Sequence, residues 1–434
     1  MTKPISFAQL RTILTATMSG WVDPRTSRNR LYTLCDAGLA GFSVFFMQSP
    51  SFLAYQRQMQ RQRGRNNASS LFGVGRIPSD PEIRNLLDLV AAKDVRQPFW
   101  SILDMVDDAG YLAEYQYAGT WLLSLDGTGY FSSTAIHCAN CSTAVRGETT
   151  YYAHNVVLPV LVRPGKAEVL MLEPEFITPQ DGAEKQDCER NAGKRWIERN
   201  AAHFSGRPVT VLADDLYCNQ PFCQLLVDHD LDFIMTCKPD SHPTLYEEVN
   251  ALAKSGAVTT VSDRVWTGSG HEQRTYRYVS QVPLCAEPQS LLVDWCEITV
   301  VQEATGDVVY HNAFATSHDV TTQTVRETVV AGRARWKIEN EGNNVLKNQG
   351  YHFEHNFGHG AKNLSLVLLS LLLLAFLCHT VLHLADALYQ RVRALLVTRK
   401  EFFDDLRALT RYMVFDSWEA LLNFMRVQLE LRPP

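Results

Sequence analysis

The chain is short of the features that would classify it quickly. Its ten cysteines are scattered over 434 residues, too sparse for the disulfide framework of a small secreted domain. Reduced thiols in a cytosol are the expectation. Glycine (24) and proline (18) are near average, which excludes collagen-like and low-complexity chains. Neither sign of charge dominates: 41 Lys and Arg stand against 47 Asp and Glu, a formal charge of −6, so bulk electrostatics names no partner. A hydrophobic fraction of 46% with 20% charged residues excludes a mostly disordered chain. No internal repeat is visible. There is no G-x-x-x-x-G-K-[ST] phosphate loop and no G-x-S-x-G elbow, so neither an ATP-driven motor nor an α/β-hydrolase is supported. The opening segment MTKPISFAQLRTIL carries charge early and no long apolar run, so no secretory signal is expected.

Only one long apolar run exists, Leu364 to Leu382, LSLVLLSLLLLAFLCHTVL. Its length suits a single membrane span. Ser365, Ser370 and His379 within it, and a helical pattern that continues through HLADALYQRVRALL, favour a helix buried on all sides. The expectation is a core helix and no membrane.

What is present is an order of elements. Residues 1–115 read as helical, 116–255 as α/β, 256–320 as a β-rich antiparallel insertion, 321–385 as a return to helix, and 386–434 as further helices. This is an α/β order around a mixed sheet. In the first region Ser79 or Asp80 caps a helix that opens with Pro81 and Glu82. Arg57, Arg61, Arg63, Arg65 and Arg76 fall in one stretch with no acidic residue between them. They form either a solvated helix face or a patch that contacts phosphates.

Three carboxylates stand out by position. Asp126 ends the strand in TWLLSLDGTGYF, Asp214 ends the strand in PVTVLADD, and Glu339 lies in RARWKIENE, read as part of one helix from Val325 to Gln349. Strand ends are where α/β folds place chemistry. Carboxylates gathered there can hold Mg²⁺, which takes hard oxygen ligands and serves in-line attack on phosphodiesters. Asp215 and Glu341 are rivals one and two positions away.

The segments LLSLDGTGY, VLADDLYCNQPF, FIMTCKPDSHPTLYEEV and RARWKIENEGNNVLKNQGYHFEHNFGHG resemble the bacterial insertion-sequence transposases of the DDE class. More narrowly they resemble the group with a β-strand insertion before the catalytic Glu and a Y-R-E-K signature. The resemblance covers about residues 50 to 385 and is most specific at Arg335-Trp336-Lys337-Ile338-Glu339. It implies a ribonuclease H-like mixed-sheet core with helical N- and C-terminal regions. It implies that Asp126, Asp214 and Glu339 are the catalytic triad and hold Mg²⁺ or Mn²⁺. Arg335 and Lys347 would match the residues that hold DNA-end phosphates. Gly332 stands where the signature often has Tyr, and Lys347 comes one residue late.

The implied activity is hydrolysis at the ends of an element followed by strand transfer into target DNA. The implied partner is double-stranded DNA, bound by the helical N-terminal region and by a homodimer, since two ends are joined in one event. The implied location is the cytoplasm of a bacterium, at the nucleoid. Three rivals remain: a metal-dependent nuclease of the same fold, a non-catalytic DNA-binding descendant, and a membrane protein built on Leu364–Leu382.

Two further features complete the reading. Trp266, in the β-rich insertion, is expected as a core residue of that sheet; the alternative is a platform for an unpaired base. Cys138 and Cys141 form a C-x-x-C that suits zinc if two more ligands join, and His352, His355 and His359 lie in the loop after Glu339. His352 and His355 are the ligands expected; the alternative is a pair of reduced structural cysteines. Cys218 and Cys223 are expected to pack.

Overall fold

The computed structural model describes residues 2–26, 30–59, 66–179, 187–355 and 357–431. Six helices come first: α1 (Phe7–Ser19), α2 (Leu34–Phe46), α3 (Phe52–Met59), α4 (Asn67–Phe72), α5 (Asp80–Leu87) and α6 (Gln97–Asp108). Their starts follow from sequence. Ser6 with Gln9, and Thr33 with Asp36, form reciprocal capping boxes at α1 and α2. Ser79 is the N-cap position of α5, with proline in its first turn, as expected.

The sheet follows. Its strands are β1 (Gln116–Tyr117), β2 (Thr120–Ser133), β3 (Ser142–Arg146), β4 (Thr149–Val162), β5 (Leu170–Met171) and β6 (Glu175–Ile177). After α7 (Glu189–Asn200) come β7 (Val209–Ala213), α8 (Gln220–Asp228), β8 (Asp232–Thr236) and α9 (Pro243–Lys254). Four long strands complete it: β9 (Thr259–Trp266), β10 (His271–Pro283), β11 (Leu292–Gln302) and β12 (Val308–Thr316). The order is β3-β4-β2-β7-β8-β12-β11-β10-β9, with β1 on β2 and both β5 and β6 on β4. Strands β2, β7 and β8 run parallel, and every other pairing is antiparallel.

The segment KAEVLMLEPEFI forms two separate short strands, β5 and β6. Glu173, between them, turns inward and accepts from Trp100 Nε1 (3.1 Å), Arg199 Nε (2.9 Å) and Asn200 Nδ2 (3.0 Å). That buried carboxylate breaks the strand and anchors α7 through Arg199. The β-rich insertion also continues the main sheet, because Phe314, Ala315 and Thr316 of β12 pair with Thr236, Met235 and Ile234 of β8. The edge of β8 is thereby covered rather than left as a row of unpaired backbone groups.

The chain then forms α10 (Val325–Arg333) and α11 (Asn344–Asn348), with a π-helical turn at Ile338–Asn343 between them. The continuous helix expected here is broken. Asn340, Gly342, Asn343 and Asn344 are weak helix formers, and the wider turn takes up the strain. Gly350, with φ 91°, ends this segment in the left-handed conformation, as the glycine suggested.

Helices α12 (Leu364–Ala385), α13 (Ala387–Ala394), α14 (Arg399–Tyr412) and α15 (Trp418–Glu430) close the chain. One described helix, α12, is long and apolar enough to cross a membrane, and 94% of its apolar window is buried inside the protein. It packs on α2, α5, α13 and β5. A Cβ on Gly41 of α2 would lie 3.0 Å from Leu371 Cδ1, so the two helices approach closely. The polar groups of α12 are satisfied inside. Ser370 Oγ donates to Leu366 O (3.0 Å), and His379 bridges Phe46 O (2.8 Å) and the Tyr389 hydroxyl (2.9 Å). Burial pushes His379 down to about 3, so this bridge is made by a neutral ring. Helix α2 is buried on nearly every face, so the N-terminal helices share one core with α12 and the sheet.

Candidate functional site

The parallel register decides where the first two carboxylates lie. Ser124 of β2 pairs with Leu212 of β7, the last parallel pair. Asp126 and Asp214 are each two residues further on, so both stand just past the end of that pairing, side by side. Strand β2 itself runs on to Ser133, held by β4, where Leu158 opposes Asp126. Asp126 therefore marks the end of the parallel ladder rather than the end of its strand.

Glu339, on the π turn, joins them through Arg335. The guanidinium Nη1 lies 3.0 Å from Glu339 Oε1 and 3.9 Å from Asp126 Oδ1. Arg335 is buried, and its Nε has no partner. Asn343, one turn beyond Glu339, donates from Nδ2 to Asp126 Oδ2 at 3.4 Å. The two rivals are turned elsewhere. Asp215 accepts from the Lys238 N–H (2.7 Å) and the Ser241 hydroxyl (2.5 Å), and Glu341 lines a cavity with Glu168, His383 and Arg399.

A fourth carboxylate belongs to the cluster and was not anticipated. Glu189, in the first turn of α7, lies against Gly127, and the Tyr217 hydroxyl donates to its backbone carbonyl (3.3 Å). Gly127 lets that carboxylate approach the strand, since a Cβ there would lie 2.1 Å from Glu189 Oε2 and would displace it. The acidic first turn of α7 is the one signal that pointed to Glu189, and α2, α5, α10, α14 and α15 carry one too. Asn343 and Tyr217 had no signal of their own.

Charge is crowded here. Burial pushes the Asp126 carboxyl up to about 7; Arg335 opposes this, while Glu339, Glu189 and Asp214 add to it. Burial and Asp214 also raise Glu189. Burial beside Glu189, Asp214 and Asp126 raises the Tyr217 phenol. Burial and like charge thus both disfavour ionisation of Asp126 and Glu189, and at Asp126 it is Arg335 that opposes them.

The expected DNA contacts lie variously. Lys347 pairs with Glu354 at 2.9 Å, so it faces the following loop rather than the carboxylates. The π turn at Ile338–Asn343 shifts the helical phase of Lys347 relative to Glu339. Arg57 is exposed at the end of α3, and Arg61, Arg63 and Arg65 lie outside the described residues. Trp266, expected in a core, is 59% exposed on β9, the last strand in the order. Thr260, Ser262 and Arg264, on the same face of β9, are exposed as well. Gly332 also finds its reason: a Cβ there would lie 2.7 Å from Phe314 Cε1 and 3.0 Å from Ile234 Cγ2, so α10 packs too close for tyrosine.

Two groups of ligand-type side chains are gathered tightly among the described residues, each with all its ligand atoms within 4.8 Å of one another. One is Cys138, Cys141, His154 and His359; the other is Cys218, Cys237 and His242. All ten cysteines are free. The first group corrects the expected ligands. His352 and His355 do not join the C-x-x-C; their rings face each other and Phe357 instead. His154 comes from β4, because Ala153 pairs with both Ser132 and Ser142 and so sets its neighbour under the hairpin that carries the cysteines. Burial lowers His154 to about 4 and raises Cys141 to about 11.

No protein-family model matches the chain, and no curated protein matches it.

Proposed function

We propose that the chain is a DNA transposase of the DDE class with a ribonuclease H-like catalytic core. The strand order supports this: an antiparallel meander of β2, β4 and the β5–β6 edge is followed by the parallel β7 and β8, with α7 as the crossover. The four-stranded insertion lies between Asp214 and Glu339, as the reading requires. The observation that carries the proposal is that Asp126 and Glu339 share the buried Arg335, with Asp214 and Glu189 close enough to Asp126 to raise its carboxyl.

The donor set fits the implied metal. Carboxylate oxygens and one amide are the hard ligands that Mg²⁺ or Mn²⁺ takes, and a divalent cation would offset the burial and like charge that raise Asp126 to about 7. Asp126, Asp214 and Glu339 would hold it. When bound, such ions activate a hydroxyl nucleophile and neutralise the charge of the phosphodiester. The chain's own residues do the rest. Arg335 orients the Glu339 carboxylate and supplies fixed positive charge for a phosphate. Asn343 orients Asp126. Water first attacks the phosphodiester at each end of the element and frees a 3′-hydroxyl; that hydroxyl then attacks the target strand. Trp266, exposed on the outer strand, offers a ring on which an unpaired base at a cleaved end can stack. A homodimer would bring the two ends together in the cytoplasm of the host cell.

The test is a cleavage assay on the DNA that flanks the chain's own gene, labelled at its outer ends, with Mg²⁺ or EDTA. The expected result is metal-dependent breaks at the terminal repeats, followed by joined products. Glu339→Gln should reduce both at least about 100-fold, as loss of a transition-state charge does. Breaks without joined products would replace the proposal by a nuclease of the same fold. Binding without cutting in Mg²⁺ or Mn²⁺ would replace it by a non-catalytic DNA-binding descendant.

A further inference from the structure

Cys138 and Cys141 lie in the turn between β2 and β3. His154 lies on β4, and His359 in the loop between α11 and α12. Three separations between sulfur and ring nitrogen are given by this arrangement. Cys138 Sγ to His154 Nε2, Cys141 Sγ to His154 Nε2 and Cys141 Sγ to His359 Nε2 are each 3.5 Å. A tetrahedral zinc with bonds of about 2.3 Å to sulfur and about 2.05 Å to nitrogen sets that separation at about 3.6 Å. Hydrogen bonding explains the arrangement less well. The Cys141 sulfur faces two imidazole nitrogens with one proton to give, and it also takes the Cys138 backbone N–H at 3.4 Å. His154 Nε2 in turn faces two sulfurs with one lone pair. His154 is 1% exposed and Cys141 4% exposed, so water does not complete the pattern.

We propose that Cys138, Cys141, His154 and His359 form a closed, tetrahedral, structural zinc site. All four positions are filled by protein, which leaves none for a substrate and marks the site as structural rather than catalytic. The proposal is independent of the DNA reading. Its consequence for the fold is nonetheless direct. Strand β2 leads from Asp126 to the cysteines, and the π turn and α11 lead from Glu339 to His359. The ion therefore ties together the far ends of the two segments that carry these acids. Its neighbourhood is already fixed: Asp88 accepts the N–H groups of Ala361 (3.1 Å), Lys362 (3.0 Å), Asn363 (2.8 Å) and Leu364 (2.9 Å), and the Asn140 amide donates to the Lys362 carbonyl.

The test uses the full chain and reads metal rather than activity. Purified wild type should hold about one zinc per chain, and the chelated protein should take up Co²⁺ with the thiolate-to-metal and d–d absorption of a tetrahedral sulfur–nitrogen site. Cys138→Ser combined with His359→Gln should lose that absorption, while Cys188→Ser, at an exposed cysteine outside the cluster, should keep it. A folded wild type with neither zinc nor a tetrahedral Co²⁺ spectrum overturns the proposal. So does a spectrum that survives in the double variant, which would place the ion at Cys218, Cys237 and His242. Should the double variant fail to fold, the wild-type stoichiometry and spectrum decide.

Discussion

Removing the charge of Asp126 should stabilise the metal-free protein, by an amount that grows with pH. The side chain is 18% exposed and lies among Glu339, Glu189 and Asp214. Burial and these neighbours move its proton affinity from 3.8 to about 7. The folded chain thus keeps a proton that the unfolded chain has released over that interval. Stability falls as pH rises through it, because the folded state binds the extra proton. At about 1.4 kcal/mol for each pH unit between those values, the full cost is about 4 kcal/mol, complete by about pH 8. With an unfolding entropy of about 2.1 cal/mol/K per residue, a chain of 434 residues converts this into about 4–5 °C of melting temperature. The assay is thermal unfolding of wild type and Asp126→Asn in EDTA at about pH 4 and about pH 8.5. The two should melt together at the lower pH, and the variant about 4 °C higher at the upper. Mg²⁺ at the upper pH should then raise the wild type and leave the variant nearly unmoved. A variant that melts below wild type at about pH 8.5 would refute the reasoning, because attraction to Arg335 would then outweigh burial and like charge.

Two substitutions test the packing that builds the site. Gly127→Ala puts a Cβ at 2.1 Å from Glu189 Oε2 and must displace that carboxylate, whereas Gly129→Ala meets Asn155 Oδ1 at 3.1 Å and His154 O at 4.0 Å. DNA cleavage should fall at least about tenfold in the first and change little in the second; equal losses would remove Glu189 from the account. Gly332→Tyr, which restores the residue usual in the signature, should destabilise by about 3 kcal/mol through overpacking against Phe314 and Ile234. Phe314→Ala in the same chain should recover part of that loss in thermal unfolding, and an additive result would mean the clash is not where the geometry puts it.

The helical ends, the α/β order and the buried apolar helix were legible because each rests on local chemistry. Capping residues, period and length carry that information within a few neighbours. Asp126 and Asp214 were legible for a similar reason, as carboxylates following apolar runs. What was not legible depends on register. His154 replaces His352 and His355 beside the cysteines because β2, β3 and β4 pair as they do, and no spacing along the chain encodes that pairing. Glu189 is placed by Arg199 and Glu173, which fix α7 from its other end.

The π turn shows how a correct local inference and an incorrect one can share a residue. Arg335 and Glu339 were matched as neighbours four apart on a helix, and their ion pair stands at 3.0 Å. The same regular helix was assumed to continue, and with it the alignment of Lys347. It does not, because Asn340, Gly342, Asn343 and Asn344 resist the regular turn. The wider turn carries Asn343 to Asp126 and leaves Lys347 on Glu354. A π turn costs hydrogen-bond geometry and persists where its surroundings demand it, which is frequently at a functional site. Here what it provides is an amide that reaches Asp126, whose carboxyl burial pushes up to about 7. The break in the helix is thus tied to the same cluster that the register of β2 and β7 assembles from the other side.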